Sequence, residues 1–161
     1  MPSLPAHIES SYRELNINCQ IGYWCDANES LVGISSSSQG AFRLLKLENP
    51  DSPNKPTILS PDTAVILKDR WDSLSNEARN ETFPSVSPNF IIELRSPIDS
   101  SQNLHQKMMR WVKAGVDEGI SIDLITNPPE VRTYTFNPDA NKIIWKTQVN
   151  PDQVESEVLK G

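Results

Sequence analysis

The chain has 161 residues, 37% of them apolar, and a formal net charge of −6. That length supports one compact domain with a core of its own and is too short for two, so residues 1–161 are read as a single domain. An acidic chain is a poor candidate for gripping nucleic acid over a broad surface, because Lys and Arg drive phosphate binding; a polyanion would have to be met locally.

Met1 to Ser11 has neither a basic start nor an apolar run of signal length, and no apolar stretch is long enough to cross a bilayer. This predicts a soluble, cytoplasmic protein with no membrane partner. Ser10 or Ser11 is placed to cap a helix running to about Asn28, with Tyr12, Leu15, Cys19 and Tyr23 at helical spacing as its apolar face and Ile21 and Trp24 widening it. Cys19 and Cys25 on that helix point about 240° apart, so they cannot bridge each other and are read as reduced thiols.

A short strand at Leu31 to Ile34, a polar link at Ser35 to Gly40 and a second strand at Ala41 to Lys46 predict a hairpin. Residues 47–61 are crowded with prolines and turn formers and predict a surface loop. Thr63 to Lys68 reads as a strand buried on both faces, since Ala64, Val65, Ile66 and Leu67 are consecutive. Asp72 to Arg79 offers one or two helical turns, and a loop through Pro84 and Pro88 leads to a strand at Asn89 to Arg95, which Pro97 ends.

Asp99 and Ser100 can cap a helix over Ser101 to Ala114, with Leu104, Met108, Trp111 and Val112 on its buried face and Gly115 as its stop. Strands at Ile120 to Ile125, Val131 to Phe136 and Lys142 to Lys146 follow. The strand, helix, strand order of the second half implies a right-handed crossover, hence an α/β or α+β fold with a central mixed sheet flanked by helices.

Within this frame Asp62 opens one buried strand and Glu93 interrupts another, and a carboxylate in such a place is costly without a partner. If the two strands are neighbours, both acids can reach one divalent cation, Mg2+ or Mn2+, for which one or two carboxylates plus substrate phosphate suffice. A cation there polarises the phosphorus centre and acidifies an attacking water. Arg95, two residues after Glu93 on the same strand face, and Lys107, beside the apolar line of the following helix, are candidates to steady the developing charge; Lys107 is the better placed.

Taken singly, each charge has a plainer role: Asp62 in a turn, Glu93 paired with Arg95 or a neighbouring base, Lys107 in solvent. Zinc is set aside because His7, His105, Cys19 and Cys25 lack paired ligand spacing, and both histidines are expected at solvated surfaces. No glycine-rich phosphate loop and no nucleophile elbow is present. The four tryptophans read as core or interface residues.

The ordered motifs Ser36 to Leu44, Ser60-Pro61-Asp62, Lys68-Asp69-Arg70-Trp71, Ser87 to Ser100, Lys107-Met108, Gly115, Gly119 to Asp123 and Val154 to Leu159 resemble the Uma-type family of restriction-endonuclease-like proteins in the PD-(D/E)XK phosphodiesterase superfamily. The resemblance implies a restriction-endonuclease-like core and a DNA endonuclease. Asp62 and Glu93 would be metal ligands, and Lys107, moved to the helix, would replace the lysine whose usual position Arg95 occupies. It also implies a homodimer, an N-terminal hairpin and a C-terminal end beyond this chain, and a packing gap at Ser121, where relatives carry an aromatic residue. The competing expectation is a nuclease fold kept as a non-catalytic binding or structural protein.

Overall fold

In the computed structural model, which describes residues 8–160, six strands form one mixed sheet in the order β1-β4-β5-β6-β7-β8. These are β1 (Val32–Ser37), β4 (Thr63–Leu67), β5 (Phe90–Leu94), β6 (Glu118–Asp123), β7 (Glu130–Asn137) and β8 (Lys142–Val149). Only β5 and β6 run parallel, joined by helix α4 (Ser101–Lys113); the other neighbours are antiparallel. The fold is α+β.

Strand alternation gives this sheet two different faces. One carries Ala64, Ile66, Ile91 and Tyr134 and packs against Leu104, Met108, Trp111 and Val112 of α4, together with Phe42, Leu44 and Leu47. The other carries Val65, Phe90, Ile92, Ile120 and Val131 and meets Ile17, Ile21, Trp24 and Cys25 of helix α1 (Ile8–Ala27), with Val154, Val158 and Leu159 of the last segment alongside. That segment is fastened by Glu118, which is 1% exposed and accepts hydrogen bonds from the Ser156 hydroxyl and, at 2.9 Å, from the Glu157 backbone N–H.

Helix α4 follows its sequence signals closely. Ser100 caps it by accepting from the Asn103 N–H, the four expected residues form its buried face, and Gly115 follows with φ +110°, a backbone state that glycine adopts without penalty. Two short helices, α2 (Lys68–Asp72) and α3 (Asn76–Arg79), occupy the stretch before β5. A Cβ on Gly33 would stand 2.4 Å from Trp71 Cβ, so the missing side chain is what lets α2 lie against β1.

Five expectations are corrected. β1 continues to Ser37 through the supposed polar link and pairs with β4, so it forms no hairpin with β2 (Phe42–Glu48). β2 instead pairs with β3 (Pro56–Leu59), a strand inside the proline-crowded stretch, in a separate two-stranded sheet. On α1 the expected apolar face points outward: Tyr12, Leu15 and Tyr23 are 66, 60 and 79% exposed, Cys19 is exposed, and the inner side is built from the widening residues Ile21 and Trp24 with Ile17 and Cys25. His105 is half-buried, its Nδ1 2.9 Å from the Tyr134 hydroxyl and its ring edge-on to Trp145. His7 lies outside the described residues. Ser121 is 3% exposed and borders a hollow of only about 10 Å³, so little of the expected gap remains.

Candidate active site

The antiparallel register of β4 and β5 pairs Thr63 with Ile92, and one step further along the same register sets Asp62 across from Glu93. Both lie on the α4 face of the sheet, the side that also carries Ala64 and Ile91. Asp62 Oδ2 accepts the Leu94 backbone N–H at 2.7 Å, which fixes the carboxylate at the end of the ladder. From α1, Asn18 donates through Nδ2 to the Asp62 carbonyl at 3.4 Å and accepts from Thr63 Oγ1 at 2.9 Å, holding the entrance of β4.

Glu93 is the most enclosed of the site carboxylates, its side chain 3% exposed. Helix α4 covers it with two donors one turn apart: Lys107 Nζ at 2.8 Å and the Trp111 indole N–H at 2.8 Å on Oε1. Trp111 is fully buried, so its N–H is fixed by packing. Lys107 keeps 36% of its side chain exposed, which leaves the ammonium reachable from solvent.

Lys107 forms an ion pair with Glu93 alone, while Asp62 has no ion-pair partner among the described residues, and the electrostatics follow from that count. Burial pushes Glu93 up to about 7, with the Asp62 charge adding to the rise and the Lys107 and Trp111 contacts opposing it. Burial also raises Asp62 above the ordinary carboxylate value; the Leu94 N–H and the Lys107 charge pull it down, and Glu14 on α1 pushes it up. The site is short of positive charge.

Of the four residues singled out from sequence, the structure brings Asp62, Glu93 and Lys107 together and engages Arg95 elsewhere. The Arg95 guanidinium bonds Asp123 Oδ2 at 3.0 Å, Thr126 Oγ1 at 3.2 Å and the Asp99 carbonyl at 3.1 Å, with 17% of its side chain exposed. Asp123, buried yet well supplied with donors from Thr126, Ile125 and Arg95, is held below its usual value. The sequence suggests Trp111 only as a core or interface residue, gives Asp123 no role beyond its place in a motif, and does not single out Glu14 or Asn18. For Asp123 the sequence signal is its place at the end of the Gly119 to Asp123 motif; the parallel register that sets Ser121 beside Glu93 carries it to the level of Arg95.

Among the described residues no group of three or more His, Cys, Asp and Glu side chains is arranged to hold a metal ion. Asp62 and Glu93 remain as hard oxygen donors, a set that suits a cation completing its shell with water and phosphate.

A putative nuclease of the DUF820 group from Anabaena variabilis ATCC 29413 superposes with a TM-score of 0.66 at 14% identity, over 97% of this chain and 75% of that one, a likeness of fold. No curated protein matches the sequence. The family described as Uma2, putative restriction endonuclease, matches residues 1–161. Together with the mixed sheet and its paired acids, this full-length match makes the chain a member of the Uma2 family of restriction-endonuclease-like nucleases.

Proposed function

We propose that this protein is a Mg2+-dependent endonuclease that hydrolyses DNA phosphodiester bonds, with Mn2+ as an alternative ion, at the site formed by Asp62, Glu93 and Lys107. One observation carries this reading: the buried Glu93 and the half-buried Asp62 lie opposite each other on one sheet face, with the Lys107 ammonium paired to Glu93 alone. A divalent cation supplies the missing charge, with Asp62 and Glu93 as its protein ligands. An ion held by these two carboxylates would supply Lewis-acid polarisation of the phosphate and a more acidic water.

The chain's own residues do the rest. Leu94 aims Asp62 through its N–H, and Trp111 pins one Glu93 oxygen so that the carboxylate does not swing away from the site. Lys107, partly exposed, faces an approaching phosphate and stabilises the negative charge that grows on it. Arg95 serves as a positioning residue, tying Asp99 at the start of α4 to Asp123 and Thr126 after β6.

A second reading, a nuclease fold that binds without cleaving, draws on a specific feature: Lys107 and Trp111 already engage Glu93, and no third metal-ligating side chain joins it among the described residues. Calorimetric titration with Mn2+ on wild type, Asp62→Ala and Glu93→Ala separates the two, followed by plasmid nicking with wild type, these two variants and Lys107→Ala. The endonuclease reading expects cation binding that either acid substitution abolishes and a loss of nicking of about 100-fold or more for each variant. Absence of cation binding by wild type selects the second reading, and equal nicking by all variants identifies a contaminant.

A further inference from the structure

Helix α1 is apolar on two opposite sides. Ile17, Ile21, Trp24 and Cys25 line the side that meets the sheet. On the other side Ile8, Tyr12, Leu15 and Tyr23 are 78, 66, 60 and 79% exposed, with exposed Cys19 between them. Their spacing in sequence, four, three, four and four residues, keeps them on one stripe of the helix. A helix that packs on one layer needs a single apolar stripe, so a second stripe on the opposite side is left without a partner.

We infer that the outer face of α1 is a homodimer interface, in which a second copy of this chain sets its own α1 against it about a two-fold axis. The area is sufficient: at roughly 150–250 Å² for a tyrosine, two tyrosines, an isoleucine and a leucine exposed to this degree present on the order of 600 Å² per copy. Two copies then hide roughly 1,200 Å², the lower bound of a specific interface. A patch of that size also sits at the upper limit of what a monomer leaves in water.

The chemistry favours a like surface. No charged residue interrupts the outer line from Ile8 to Tyr23, so two copies of an acidic protein meet there without like charges in contact. A membrane is the poorer match, because α1 carries Arg13 as its only basic residue against Glu9, Glu14 and Asp26, the wrong sign for anionic lipid. Gly22 borders the line, and a Cβ there would meet nothing within 4 Å. A mid-helix glycine that its own chain does not need leaves room for close approach of a second helix.

The test is sedimentation velocity of the full chain over roughly 1–100 µM, where interfaces of this size associate. Wild type is expected to dimerise, and Leu15→Glu and Tyr23→Lys to weaken the dimer by about 30-fold or more, the loss typical of a central interface residue. Far-UV circular dichroism should stay unchanged; Tyr23→Lys, at a residue 79% exposed, keeps the test valid should Leu15→Glu unfold. Ile98→Glu, at an isolated residue 98% exposed, should leave the dimer intact. A wild type that stays monomeric, whether free or captured on neutral vesicles, overturns the inference, as does a dimer that survives both α1 substitutions.

Discussion

Helices α4 and α1 cover opposite faces of the same sheet in opposite ways. α4 buries four large side chains and puts two donors onto Glu93, whereas α1 buries only Cys25 and rests on the sheet with partly exposed residues. Beside α1 a groove of about 730 Å³ runs to the 151–160 segment, lined by Ile17, Ile21, Trp24, Ile92 and Ile120. The proposed chemistry is thus placed where the packing is complete. A carboxylate can be held against its ordinary ionisation only by neighbours that cannot relax away, and α4 supplies such neighbours.

The contrast can be broken most severely at Trp111. Truncation to Ala removes a fully buried indole and one Glu93 hydrogen bond, and chemical denaturation should report a loss of about 3–5 kcal/mol. Next in size is a pH effect. Glu93 ionises near 7 in the fold, above its ordinary value of 4.5, so its stabilising contribution is complete below about 4.5 and is lost as pH rises through about 7. Metal-free protein should therefore lose on the order of 3 kcal/mol from this group between those limits, a slope that urea titrations should find missing in Glu93→Gln.

On the α1 side the expected effects shrink. Ile21→Ala, at a half-buried contact with the sheet, should cost about 1–2 kcal/mol in the same urea assay. Tyr12→Ala should shift the unfolding of the single chain by no more than about 0.5 kcal/mol, because its ring touches no core; this is read well below the concentration at which copies associate. If Ile21→Ala proved as damaging as Trp111→Ala, the proposed division between a rigid face and a thinly covered one would fail.

The same contrast explains what was legible in the sequence. α4 has one apolar stripe, a serine at its N-cap and a glycine just beyond its end, so periodicity has a single solution there and the structure adopts it. α1 has two stripes, and periodicity alone cannot choose between Tyr12-Leu15-Cys19-Tyr23 and Ile17-Ile21-Trp24; contact with the sheet decides. β3 was hidden because a four-residue strand opening on Pro56 inside a proline-rich stretch has too little pattern, and the partner of β1 is set by non-local pairing. Among the candidate residues, Glu93 inside an apolar strand and Asp62 at the entrance of another draw notice as charges in costly places, whereas Lys107 is suggested by its position beside the apolar line of α4. The Trp111 donor was not, because its N–H finds Glu93 only through the way α4 lies across β5.

The fastening at Glu118 has a consequence for the chain's far end. Among the described residues that buried carboxylate is served by Ser156 and Glu157, so peeling the segment away would strip Glu118 of both donors at once. The segment around Ser156 is thus a keystone rather than a loose appendage: its amides should exchange with deuterium as slowly as those of the strands beneath it, and Ser156→Ala should quicken that exchange.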